Sequence, residues 1–379
     1  MKARLLKLLK VAGYLVFLAV LVEVALQAYY YVTAGAFLFS RVSPPIFAPD
    51  EHAGYRVKPN LTLDHKTNEF RTMIYTNSQG FRVSENREEF PDEKSPDAFR
   101  VLLMGPSFGF GWAANFEESF AAQLETLLEQ QGFSGGNVEV INASVPSLDA
   151  RSLMNWYRHV GKRYSPDLVV QFLYGSMAMS EPTDITVNEA GYLVRNNVST
   201  ARKLQSQLKQ SAIVFYSWVV YTRLSSAGGD ANGENAVIGA GRKLEQIEEF
   251  DVEDPRIRNS MDYYNTMAEA VLANGSDLLF VYFPLAYCVH REDIARWKHL
   301  GVNDIDRQID LDRRFANYLN EREIPCLNIT QDLIGFAEDT GERLYYWLDI
   351  HWTPQGNLVA ARSVAEHLIS AGDDHSGSN

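Results

Sequence analysis

Apolar positions along this chain fall into distinct patterns, and each predicts a different kind of element. Residues 11–32 are apolar apart from Gly13, Glu23 and Gln27 and end on Tyr29, Tyr30 and Tyr31. About 20 such residues suffice to cross a hydrocarbon core as a helix. From residue 99 onward, short unbroken apolar runs alternate with segments whose apolar residues recur three and four apart. The runs at 101–104, 138–141, 168–174, 278–283 and 326–329 read as strands covered on both faces. The segments 117–131, 149–163, 261–273, 304–319 and 355–369 read as helices. Their inward faces are carried by Phe120, Leu124, Leu127 and Leu128, by Leu153, Trp156, Tyr157 and Val160, and by Leu358, Ala361, Val364 and Leu368. Strands separated by helices in this way predict an α/β fold, a three-layer α/β/α domain on a five-stranded parallel sheet. Ligands bind outside the C-terminal ends of such strands. Ser107, Ser144, Gly175 and Pro284 all fall there.

The alternation is framed and interrupted by other segments. Residues 34–98 form an extended lead-in marked by Pro44, Pro45, Pro49 and Pro59. Within it, 70–82 reads as a strand, a turn over 77–80 and a second short strand. An insertion at 181–256 holds a hairpin over 184–194, a helix over 201–224 and a Gly- and Asn-rich loop over 227–241. Ile213, Val214, Phe215, Trp218, Val219 and Val220 crowd that helix, which is too short to span a membrane. Packing against the sheet is its expected role; a lid or a bilayer contact is the alternative. The chain is thus divided into a basic segment (1–10), a membrane anchor (11–33), the lead-in (34–98), the α/β domain (99–371) and a disordered tail (372–379).

Charge fixes the orientation and removes one class of partner. Lys2, Arg4, Lys7 and Lys10 precede the apolar run, and no acid lies among the first ten residues. By the positive-inside rule the N-terminus stays in the cytoplasm and the main domain lies outside it, a single-pass periplasmic or extracytoplasmic arrangement. A cleaved signal peptide, cut near Ala34-Gly35-Ala36, is the competing reading. Glu23 is costly in mid-span and is expected to face a protein partner, such as a polysaccharide-export component, or to be protonated. Past residue 10, 31 basic residues face 48 acidic ones, a surface that repels nucleic acid. The 8 histidines and 2 cysteines hold no metal-ligand spacing, so neither metal nor cofactor is expected. Cys288 and Cys326 read equally as a disulfide or as two buried thiols.

The candidate chemistry sits at two ends of the α/β region. In the stretch Phe99 to Trp112, FRVLLMGPSFGFGW, Gly105 and Pro106 break the first strand and leave Ser107 on the turn into a helix. A serine there is lifted clear of the sheet and faces backbone N–H groups. Its hydroxyl needs a base, and the base needs an orienting group. Asp349 and His351 supply that pair just before the last helix, with Thr353 as its N-cap and Pro354 at its first position.

These segments resemble the SGNH (GDSL-type) hydrolase superfamily, and especially its membrane-anchored bacterial AlgX/AlgJ-like group linked to exopolysaccharide acetylation. FRVLLMGPSFGFGW looks like the family's first block, with Ser107 at the nucleophile; VINASVP matches the second, LVVQFLYGSMA stands at the third and LDIHWTPQGN at the last. TNSQGFR in the lead-in resembles a motif upstream of these blocks. The resemblance implies an SGNH/flavodoxin-like sheet, a Ser107–His351–Asp349 triad and an oxyanion site near Ser144, with Asn142 or Ser176 as substitute donors. This chain departs from the pattern at Pro106, where an aspartate is usual, at Ser144, usually glycine, and at Met177, usually asparagine. Three functions follow. The first is a membrane-anchored esterase acting on O-acetyl or other acyl esters of a surface carbohydrate. The second is an O-acyltransferase to a sugar hydroxyl, and the third a glycan-binding scaffold that has lost its chemistry.

Overall fold

A computed structural model describes residues 2–34, 37–38, 44–174, 185–195, 210–227, 255–296 and 304–376, together with Thr200, Leu204, Leu208 and Glu253. Gly175, Ser176, Met177 and residues 228–241 of the loop expected at 227–241 lie outside the described residues; Ala227 is helical.

Helix α1 (Lys2–Ala34) begins inside the basic cluster, nine residues before the expected start of the anchor. Its segment Arg4–Ala34 is long and apolar enough to cross a membrane, and could serve as an anchor or a signal sequence. Strands β1 (Phe47–Asp50) and β2 (Gly54–Val57) form an antiparallel pair. Strands β3 (Thr62–Lys66), β4 (Arg71–Thr76) and β5 (Arg82–Val83) follow.

The central sheet has eight strands in the order β12-β11-β8-β6-β7-β5-β4-β3. The five expected strands, β6 (Phe99–Met104), β7 (Val138–Asn142), β8 (Leu168–Tyr174), β11 (Asp277–Phe283) and β12 (Cys326–Asn328), are mutually parallel. Strands β5, β4 and β3 continue the same sheet antiparallel, joined where Arg82 pairs with Asn142. The expected hairpin is β9 (Ile185–Val187) with β10 (Leu193–Arg195), paired outside the main sheet.

Strand periodicity divides the core into two layers. Val101, Leu103, Val170, Phe172 and Val281 face α3 (Phe120–Gln130), α9 (Thr330–Thr340) and α10 (Pro354–Ser376). Leu102, Met104, Val169, Leu173 and Phe280 face α4 (Ala150–His159), α6 (Pro255–Leu272) and α8 (Ile305–Asn320). Each such side chain contributes about 1.5–3 kcal/mol by leaving water. The two remaining short helices, α2 (Ser107–Phe110) and α7 (Ala286–Val289), sit at the C-terminal ends of β6 and β11. Helix α10 runs to Ser376, through five residues expected to be disordered tail.

Helix α5 (Ala212–Ala227) departs from its expected place. It packs on α1, not on the sheet: Tyr30, Ala34, Leu38 and Ala212 form one buried cluster. The Glu23 carboxylate supplies the cap at its start, accepting the Ala212 N–H at 2.7 Å, the Ile213 N–H at 3.0 Å and the Ser211 hydroxyl at 2.8 Å. The expected partner of Glu23 is therefore a helix N-terminus of the same chain, where a negative charge complements the unpaired amides. Cys288 and Cys326 are both buried and free, which selects the thiol reading.

Candidate active site

Three features of the local sequence place Ser107. Strand β6 ends at Met104, and a Cβ on Gly105 would lie 2.9 Å from Phe172 Cβ, so the chain passes that strand only as glycine. Pro106 is extended and precedes the first helical residue, Ser107. Gly111 closes the helix in the left-handed conformation, with φ at +73°. The loop beyond is gripped by the lead-in: Thr72 Oγ1 donates to the Ala114 carbonyl at 2.6 Å, and Arg82 donates to the same oxygen at 3.3 Å.

The loop that holds the candidate acid and base, 344–353, is a narrow bridge-closed turn. Tyr345 and Trp352 pair across it, the Tyr346 N–H donates to the His351 carbonyl at 3.0 Å and the Thr353 N–H to the Leu344 carbonyl at 2.9 Å. The Tyr345 hydroxyl donates to the Pro284 carbonyl at 2.6 Å, tying the loop to the end of β11. The Leu344 N–H donates to His290 Nε2 at 3.1 Å. Burial, helped by the Arg343 charge, holds the His290 imidazole below its ordinary pKa, consistent with a neutral acceptor. Thr353 caps α10 by accepting the Gly356 N–H at 3.2 Å, as its sequence position predicts.

The loop carries His351 to the Ser107 turn. His351 Nε2 lies 2.6 Å from Ser107 Oγ, and His351 Nδ1 is hydrogen-bonded to Asp349 Oδ1. A carboxylate accepts only, so Nδ1 carries the proton and Nε2 is left to accept from the serine hydroxyl. The same Asp349 oxygen accepts the His351 N–H at 3.0 Å. Phe108 and Trp112 flank the imidazole, with ring centroids 5.0 and 6.4 Å away.

The other candidates are placed differently. Asn142 Nδ2 donates to the Gly109 carbonyl at 2.8 Å, and its Oδ1 accepts the Ser144 N–H at 3.2 Å. The Asn142 amide group thus ties β7 to α2, while its oxygen closes the turn into Ser144. The Ser144 hydroxyl is buried beneath Gly109 with no hydrogen-bond partner among the described residues. Ser176 lies outside the described residues. Among the described residues no cluster of His, Cys, Asp and Glu could hold a metal ion.

One group was not marked by the sequence. Glu69, in the turn between β3 and β4, accepts the Leu348 N–H at 2.8 Å and the Asp349 N–H at 2.6 Å on Oε2. Burial, with Asp349 close by, raises its pKa. Nothing in the spacing ties position 69 to position 349; the local signal is no more than an acid two residues before a strand.

The last third of the chain, residues 243–377, matches the family model of the SGNH hydrolase-like domain of acetyltransferase AlgX. That stretch contains Asp349 and His351. No curated protein matches the chain. Solved structures that resemble it include a GDSL-like lipase from Bacteroides thetaiotaomicron, 12% identical, with 74% of this chain and 93% of that one covered and a TM-score of 0.35. Another is a catalytic mutant of the acetylxylan esterase Axe2 from Geobacillus stearothermophilus, 12% identical, with 73% and 96% covered and a TM-score of 0.36. A third is LAE5, an alpha/beta hydrolase enzyme from the metagenome of Lake Arreo, Spain, 11% identical, with 73% and 97% covered and a TM-score of 0.39. The Asp-x-His loop thus lies inside the stretch that is similar to the SGNH hydrolase-like domain of AlgX, and the serine turn lies outside that stretch, after the first parallel strand of the sheet.

Proposed function

We propose that this protein is a membrane-anchored serine enzyme that moves acyl groups, acetyl above all, on or off a carbohydrate outside the cytoplasm. One observation carries the reading: a histidine 2.6 Å from a serine hydroxyl with its other ring nitrogen held by an aspartate. In the first half-reaction His351 Nε2 takes the Ser107 proton as Oγ bonds to the acyl carbon. The tetrahedral intermediate collapses, the ester C–O bond breaks, and the imidazolium returns its proton to the departing alcohol. In the second half-reaction an acceptor hydroxyl gives its proton to His351 as its oxygen attacks the acyl carbon; the bond from that carbon to Ser107 Oγ then breaks, and the imidazolium returns the proton to Oγ. Asp349 keeps the ring in the right tautomer and stabilises the imidazolium.

Donors for the oxyanion would come first from the amides of α2's opening turn, which a helix leaves without intrahelical partners. Ser144 and Ser176 are the side chains that would add to them. The acceptor, water or sugar, separates an esterase from an O-acyltransferase. The match to an acetyltransferase's domain favours a sugar hydroxyl. Helix α1 serves in this reading as the anchor that keeps the domain at the membrane's outer face.

The test is labelling of the full-length protein in detergent micelles with a fluorophosphonate. Wild type is expected to label, and Ser107→Ala to label not at all. Acetyl turnover with and without an oligosaccharide acceptor then assigns the second half-reaction. A folded wild type that resists labelling would overturn the triad reading and leave the glycan-binding scaffold in its place.

A further inference from the structure

The acid–base loop is held from behind by a side chain outside all the motif-bearing segments. Glu69 lies 280 positions before Asp349, yet its Oε2 receives the backbone N–H groups of both Leu348 and Asp349. Two amides converging on one carboxylate oxygen fix the loop's path one residue before the triad acid. A neighbouring ring contact reinforces it: Phe70 packs on Tyr346 with centroids 5.1 Å apart.

Glu69 is itself held. Thr67 Oγ1 accepts the N–H groups of Glu69 and Phe70, both at 3.2 Å, and the Thr67 N–H donates to the Phe70 carbonyl at 2.9 Å. The turn's outer side meets the end of α1: the Thr33 hydroxyl is 3.4 Å from Asn68 Oδ1. Tyr30 of α1 and Phe215 of α5 line one small cavity with Asn68, Glu69 and Asp349. The contacts therefore run unbroken from the apolar helix through residues 67–69 to the loop that carries Asp349 and His351.

We propose that Glu69 is a positioning residue for the acid–base loop and that the end of α1 sets Glu69 in place. The apolar helix is then part of the frame of the site and not a passive tether. Its kinetic arm rests on the triad reading above; its spectroscopic arm does not.

The experiment uses full-length protein, labelled with 15N-histidine, in detergent micelles. A low-field Nδ1 proton resonance of His351, assigned by its loss in His351→Gln, reports the hydrogen bond to Asp349 whether or not the enzyme turns over. Glu69→Ala is expected to broaden or abolish it, and Glu69→Gln, whose amide oxygen can accept both N–H groups, to keep it. In parallel, Glu69→Ala should lower the fluorophosphonate bond-forming rate about ten- to a hundredfold with little change in reagent affinity. Glu69→Gln should recover most of that rate. The double change Tyr30→Ala, Thr33→Val on α1 should weaken the resonance and slow labelling severalfold, and it carries the test if Glu69→Ala fails to fold. An unchanged resonance in a folded Glu69→Ala, or in the α1 double variant, would overturn the proposal. So would a Glu69→Gln as impaired as Glu69→Ala. A wild type with the resonance but no labelling would overturn the triad reading alone.

Discussion

In the proposed mechanism Asp349 acts as an acceptor and nothing else. Its Oδ1 takes both the ring and the backbone N–H of His351, which leaves Nε2 free to face Ser107. Asp349→Asn presents an N–H donor where a carboxylate stood and favours the opposite tautomer. Labelling by a fluorophosphonate should fall by roughly 10³–10⁴ while the melting temperature stays near that of wild type. A variant that labels normally would remove Asp349 from the mechanism. A second acid makes a prediction unconnected with catalysis. Burial pushes the Asp312 carboxyl up to about 7, against hydrogen bonds donated by the Tyr282 hydroxyl at 2.6 Å and Gln308 Nε2 at 2.7 Å. A folded pKa above the unfolded one gives a contribution that is present below about pH 4 and is lost as pH rises through about 7. Its full size is on the order of 4 kcal/mol. Asp312→Asn should therefore narrow the gap between urea midpoints at pH 5 and pH 8; an unchanged gap would refute the assignment. Residues of these kinds differ in legibility. Ser107, Asp349 and His351 could be nominated because each sits in a short motif at a strand end or before a helix. Glu69 and Asp312 could not, because burial and long-range partners give them their properties.

At the scale of elements, the contact of α2 with the end of β7 decides where Ser107 stands. Alanine is worth about 1 kcal/mol more than glycine inside a helix, so Gly109→Ala would stabilise an unencumbered α2. Here the added Cβ would lie 2.5 Å from Ser144 Oγ and 3.3 Å from Ser144 Cβ, with Phe172 at 3.4 Å. Both partners are buried and cannot swing into solvent. Gly109→Ala should cost about 1–3 kcal/mol by overpacking and slow labelling at Ser107 more than tenfold. Ser144→Gly removes both close atoms, so the double variant should regain most of the stability, a favourable coupling that a double-mutant cycle measures. Additive losses would mean that the two residues do not share this contact. The parallel strands were legible for the reason that places Ser107: five apolar runs bounded by turns admit few arrangements. Helix α9 escaped the reading because Thr330–Thr340 buries only Thr330, Leu333 and Ala337, too thin a stripe to stand out. Strands β4 and β5 were visible as strands and β1 to β3 were not, and nothing in the sequence said that β3 to β5 would extend the main sheet.

The whole molecule joins an apolar helix to an α/β domain more tightly than either pattern announced. Reading residues 11–33 as an anchor and 34–98 as a lead-in treats the first as something the domain hangs from. Periodicity alone cannot show that α5, apolar on all sides, would find its partner in α1. In the structure Glu23 takes the place of solvent at the start of α5, and Gln27 donates to the Gln210 carbonyl at 2.9 Å while accepting the Leu38 N–H at the same distance. Tyr30 packs edge-on to Phe215 with centroids 5.7 Å apart. A chain beginning at Pro44 loses all of these at once. The lost cap costs about 1 kcal/mol, and the uncovered apolar side chains about 1.5–3 kcal/mol each. The truncated domain should therefore unfold about 5–10 °C below full-length protein in the same detergent, at about 2–4 °C per kcal/mol. It should also bind an apolar dye through the exposed side of α5. Phe215→Ser in the truncated domain should reduce the dye binding without lowering the midpoint further, because the ring has already lost Tyr30. In full-length protein the same change should lower the midpoint. Equal midpoints for truncated and full-length wild type would show instead that α1 is a tether whose removal the domain does not feel, and the packing of Tyr30 against Phe215 would then contribute nothing to the fold.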